Sequence, residues 1–98
     1  MKEVFTMRVT HYPNEKLFKA EDNGKEMGRI SYSESEKMII IDSTQVDPLY
    51  KGQKIGDQLV EAVVKFARDA QKKIIPLCPF AKAYFEKRPD QYTDVLDK

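Results

Sequence analysis

The stretch from Met38 to Cys78 constrains this chain most. A β-branched run, Met38-Ile39-Ile40-Ile41, continues through Thr44-Gln45-Val46 and gives way to a turn carrying Gly52 and Gly56. A helix-period segment follows, and then a second short apolar run, Ile74-Ile75-Pro76-Leu77-Cys78. Ile55, Leu59, Val63, Phe66, Ala67 and Ala70 recur at three- and four-residue spacing, which is one face of a helix from about Gly56 to Gln71. Strand, helix, strand in this order predicts a right-handed crossover that lays the last strand parallel to the earlier one.

Upstream, Val4 to Val9 alternates weakly and reads as a strand or an extended arm. Tyr12-Pro13-Asn14 is a turn signal. Lys16 to Glu21 and Met27 to Ser33 read as two strands joined by a hairpin at Asp22-Asn23-Gly24, where Asn and Gly tolerate positive φ. With the run from Met38 this makes an antiparallel meander of four strands. Downstream, Pro79 suits the first position of a second helix, Pro79 to Lys87, and Tyr92 to Leu96 suits a short further turn of helix. The expectation is an α+β fold. Its curved mixed sheet is mostly antiparallel with one parallel strand pair; the main helix packs on one face and a short helix lies near the C-terminus.

Composition narrows the function classes. The 98 residues read as one domain, 1–98. The net charge of +1 gives no long-range field for nucleic acid or anionic lipid. No apolar run approaches the roughly 20 residues needed to cross a bilayer, and Met1 to Phe5 lacks the apolar core of a signal peptide. The single Cys78 cannot form an internal disulfide. These features suit a cytoplasmic setting, with no nucleic-acid or membrane partner, no metal, and a monomer or weak homodimer.

The turn from Lys51 through Gly52, Gln53, Lys54, Ile55 and Gly56 to Asp57 stands between a strand and a helix. Glycine lets the backbone turn tightly and approach a ligand. A helix start leaves backbone N–H groups unpaired and carries partial positive charge, so phosphate suits it. Lys51 and Lys54 add charge at the rim. The Gly-Lys-Ser/Thr ending of a nucleotide P-loop and the spaced glycines of a dinucleotide fold are both missing. A plain chain-turning loop is the alternative.

The stretch from Val46 to Val60 resembles motif A of the GNAT superfamily of acetyl-CoA-dependent N-acetyltransferases: Arg or Gln, two residues, Gly, one residue, then Gly or Ala, between a strand and an amphipathic helix. Lys51 stands at the Arg or Gln position, Lys54 at the first Gly, and Gly56 matches. If the loop needs positive φ at Lys54, that residue costs roughly 1 kcal/mol or more. Ile75-Pro76-Leu77-Cys78-Pro79-Phe80, with Ala81, Tyr84 and Pro89 downstream, is similar to the very small single-domain members, which carry a Pro-Leu-Cys-Pro-Phe run. The resemblance implies acetyl-CoA as cofactor. Backbone groups of Thr44 and Val46 would pair with the pantetheine amides, the turn from Lys51 to Asp57 would hold the diphosphate, and Phe80 would line the channel. Lys87 or Arg88 would reach a phosphate.

The resemblance also sets out what is missing. Where much of the superfamily has a Tyr that protonates the leaving thiolate, this chain has Phe85, and Tyr84 lies about 100° away around the helix. Where the small members often read His-Thr-Glu-Val, this chain reads Ser43-Thr44-Gln45-Val46, without a base. Asp42 and Asp47 lie near, but alternation and turn position aim them away. His11, in a polar segment, reads as a solvated surface residue rather than a catalytic one. Cys78 precedes Pro79 at a helix start, which stabilises a thiolate. It is the candidate catalytic nucleophile, carrying acetyl transiently, against the alternative of a small buried strand-end residue. Two functions follow: an N-acetyltransferase acting on an amine, small-molecule or peptide, or a non-catalytic acyl-CoA-binding or sensing protein. A third, a generic α+β interaction domain, would bind no CoA.

Overall fold

A computed structural model describes residues 8–22, 24–50, 52 and 54–97. Four antiparallel strands come first: β1 (Arg8–Tyr12), β2 (Leu17–Asp22), β3 (Lys25–Glu34) and β4 (Met38–Val46). A short 3₁₀ turn, Pro48–Tyr50, leads to α1 (Ile55–Ala70), then β5 (Lys73–Pro76) and α2 (Pro79–Glu86). The sheet order is β1-β2-β3-β4-β5, and only β4 and β5 pair in parallel. This is the expected mixed sheet with one crossover.

Helix α1 covers one face. Its buried residues Ile55, Leu59, Val60, Val63, Val64 and Ala67 follow the helical period, and they meet Ala20, Met27, Ile30, Ile39, Ile41 and Ile74 from the strands. The helix ends on Gln71 in the left-handed region, φ 58°, with the Lys72 N–H donating to the Ala67 carbonyl at 2.8 Å. That closing bond satisfies a last-turn carbonyl. Ala81, Tyr84 and Phe85 on α2 join the same core.

Two expectations need correction. The first strand runs from Arg8 through Tyr12, beyond the expected end at Val9; residues 4–7 lie outside the described ones. His11 is therefore a strand residue, not a solvated one. Its ring stacks on Phe18 at 4.1 Å and meets Phe66 at 4.6 Å, and its Nε2 lies 2.6 Å from the Tyr32 hydroxyl. Tyr92 to Leu96 forms the expected single helical turn, the Tyr92 carbonyl accepting from the Val95 and Leu96 N–H groups at 3.0 and 2.9 Å, and adds a parallel bridge: the Ile74 N–H donates to the Val95 carbonyl and the Asp97 N–H to the Ile74 carbonyl. The open edge of β5 offers the backbone partners for that bridge.

Candidate functional site: a cleft where β4 and β5 part

The parallel pairing of β4 with β5 runs from Met38↔Lys73 to Ile41↔Pro76 and stops. At the same point the β3–β4 register slips: Tyr32 faces Ile41, but Ser31 faces Ser43, leaving Asp42 as an extra residue. Such a bulge bends its strand. The Ile41 carbonyl still accepts from the N–H groups of Leu77 and Cys78, at 3.0 and 3.3 Å. Beyond it β4 continues to Val46 without β5. The bulge also shifts the alternation, so Thr44 and Val46 look to the α1 side as Ile39 and Ile41 do, while exposed Asp42 and Gln45 look the other way.

Backbone phase follows from one bond. The Asp47 N–H donates to the Met27 carbonyl at 2.8 Å. Antiparallel pairs alternate between bonded and non-bonded, so Gln45 and Ser43 bond across to β3. The pairs Gly28↔Val46 and Ile30↔Thr44 are the non-bonded ones. The N–H and C=O groups of Thr44 and Val46 therefore point away from β3, into the gap that β5 leaves.

That gap is a cleft of ≈ 420 Å³, lined by Thr44, Val46, Tyr50, Gly52, Lys54, Ile55, Gly56, Asp57 and Phe80. Eight of these were read from the sequence as candidate cofactor-binding residues. Lys51 and Gln53, also proposed, lie outside the described residues. Tyr50 was missed, because its place on the wall comes from the 3₁₀ turn and no motif marks it.

The inner end of the cleft is the N-terminus of α1. Lys54 caps it with φ 61°, ψ 28° and makes no side-chain hydrogen bond to the helix. The first-turn N–H groups are thus left for solvent or a ligand. Gly56 sits in that turn under the ring of Phe80: a Cβ there would come within 2.6 Å of the ring's Cζ. Gly52 holds φ 86°, a region that favours glycine.

Cys78 is the N-cap of α2 and 6% exposed. Its Sγ accepts from the Ala81 N–H at 3.4 Å and lies 3.3 Å from the Thr44 hydroxyl, which ties it to the cleft wall. Tyr84 faces elsewhere. Its hydroxyl and that of Tyr92 both bond the Glu61 carboxylate on α1, and Arg88 lies over the Tyr84 ring at 3.9 Å. Arg88 also donates to the Tyr84 carbonyl, so it is held at the end of α2 and does not line the cleft. Phe85 is buried in the core. Among the described residues no three His, Cys, Asp or Glu side chains are grouped to hold a metal ion.

A cleft at a strand parting, floored by an uncapped helix start, offers open backbone to an extended chain and free N–H groups to an anion. The sequence matches the family model of the GCN5-related N-acetyl-transferases over residues 17–95. The chain belongs to that family. It is similar to a GCN5-like protein from Staphylococcus aureus solved by NMR, at 34% identity and TM-score 0.71, covering 92% of this chain and 87% of the other. It is also similar to Rv2747 from Mycobacterium tuberculosis, solved in complex with CoA, at 25% identity and TM-score 0.64, covering 76% and 47%. A GNAT family acetyltransferase from Elizabethkingia anophelis, solved with acetyl-CoA bound, shares the fold at 19% identity and TM-score 0.60, covering 74% and 51%. This chain thus spans about half the length of the latter two. No curated protein matches the sequence.

Proposed function

We propose that this protein is an acetyl-CoA-dependent N-acetyltransferase whose cofactor lies in the cleft between β4 and α2. The observation that carries the reading is the pairing of open backbone at Thr44 and Val46 with the uncapped start of α1. An extended amide chain matches the first, and a diphosphate matches the second. Two relatives of the fold, solved with CoA or acetyl-CoA, support the choice of ligand. In direct transfer the amine nitrogen bonds the acetyl carbon, the carbon–sulfur bond breaks, CoA leaves as a thiolate, and one proton passes from the amine to solvent or thiolate. In transfer through Cys78, its thiolate first takes the acetyl group as a thioester and releases CoA. The amine nitrogen then bonds that acetyl carbon, the bond to the Cys78 sulfur breaks to free the thiolate, and one proton passes from the amine to solvent.

Intact mass after incubation with acetyl-CoA tests the covalent route. A gain of one acetyl group, absent in Cys78→Ala, is expected. No adduct, with turnover unchanged in the variant, contradicts it.

A second reading, an acyl-CoA binder without turnover, is favoured by the missing acid and base. Phe85 has no hydroxyl, and the Tyr84 hydroxyl is committed to Glu61 and Tyr92. Tight binding of acetyl-CoA with no product from a broad amine panel would select this reading.

A further inference from the structure

We infer that Asp42 holds the cationic head of an amphiphilic amine acceptor on the sheet face opposite α1. The inference rests on the acyl-CoA reading of the cleft. Asp42 is the extra residue of the bulge, at the point where β4 and β5 part. Its carboxylate is exposed on the face away from α1 and accepts from the Ser33 hydroxyl at 2.7 Å. No Lys or Arg forms an ion pair with it among the described residues. On the same face the hydroxyls of Ser31 and Ser43 meet at 2.7 Å, one residue along from Asp42.

Apolar surface lies directly alongside. Ile40 pairs with Ser33 on one side and with Ile75 on the other, so these three residues share the uncovered face. Leu77, two residues after Ile75, is 63% exposed. Among the described residues no helix packs over this face; α1, α2 and their core lie on the other. The patch thus joins one carboxylate without an ion-pair partner among the described residues, the Ser33 hydroxyl that donates to it and one serine pair to an aliphatic strip. A compact ammonium carried on an apolar body complements it in charge and in surface.

Position gives the patch its purpose. Thr44, two residues from Asp42, touches the Cys78 sulfur from the α1 side. The peptide joining Ile41 to Asp42 carries the carbonyl that holds the Leu77 and Cys78 N–H groups. An acceptor gathered at Asp42 therefore waits on the far side of that peptide from the sulfur, beside the point where the β4–β5 ladder ends and the cleft opens. The amine sheds its proton to water before it attacks. Asp42 is a binding residue in this account.

The test uses isotope-labelled full-length protein, first titrated with CoA and then, saturated, with 2-phenylethylamine or its neutral analogue 2-phenylethanol. Amide resonances of Ser33, Asp42, Ser43 and Leu77 are expected to move with the amine and to move far less with the alcohol. Asp42→Asn, which keeps a partner for Ser33, is expected to weaken the amine about fivefold and leave CoA affinity unchanged. Failure of CoA to bind would overturn the cleft reading and this one with it. With CoA bound, amine shifts mapping elsewhere, equal shifts from the alcohol, or an unaltered Asp42→Asn would overturn this inference alone.

Discussion

The ring of Phe80 occupies the space a side chain on Gly56 would need, its Cζ standing 2.6 Å from where a Cβ would be built. One wall of the cleft thus depends on a missing methyl group on another. Phe80 is 41% exposed, so its ring can swing outward rather than strain the core. Gly56→Ala is expected to displace the ring and lower acetyl-CoA affinity about tenfold, with little change in the unfolding midpoint. Calorimetry and thermal melting of the variant check both halves.

Lys54 sits at the helix start with φ 61°, a conformation that costs a side-chain-bearing residue about 1 kcal/mol or more. Lys54→Gly is expected to raise stability by about 0.5–1 kcal/mol, the relief of strain exceeding the added chain entropy. Urea unfolding measures the gain. Loss of the ammonium beside the cleft is expected to weaken acetyl-CoA slightly in the same variant, and that loss should shrink at high salt.

Glu61 binds the hydroxyls of Tyr84 and Tyr92 together. Burial, and then the carboxylate beside them, push both phenols above the usual value of 10.0. The folded state therefore keeps these protons after the unfolded chain has lost them. Stability is full below pH 10 and falls as pH rises past it, by about 1.4 kcal/mol per pH unit for each tyrosine held neutral. Tyr84→Phe is expected to flatten the alkaline limb of the stability profile, read by denaturant unfolding from pH 9 to 11.

His11 shows the opposite sign. Burial among Phe18, Phe66 and Tyr32 lowers its pKa below 6.5, outweighing the nearby Glu34 carboxylate. The unfolded chain takes up the proton first, so this contribution is present above pH 6.5 and is lost as pH falls below it. A second loss follows at lower pH. Glu34, held down by Lys72 and Lys16, and Glu26, held down by Arg29, must then be protonated. His11→Phe is expected to remove the first step and keep the second, measured by unfolding between pH 7 and 3.

Much of this was legible in the residues. The crossover was readable because α1 has a strict apolar face and the runs at Met38 and Ile74 flank it. The turn from Gly52 to Asp57 was readable because its glycines and helix start fall together. The bulge at Asp42 was not readable: it is a mismatch between two strands, and neither strand records it alone. It nevertheless decides which β4 residues face the cleft. His11 was misread because one polar residue on an edge strand says nothing about the rings of Phe18 and Phe66, which arrive from β2 and α1. The bridge from Leu96 to Ile74 was not readable for the same reason, since its partner is the edge of β5.

Calorimetric titration of the full chain with acetyl-CoA tests the central claim most directly. The account predicts one saturable site of submillimolar affinity, weakened by Gly56→Ala. Absence of binding up to millimolar acetyl-CoA would contradict it.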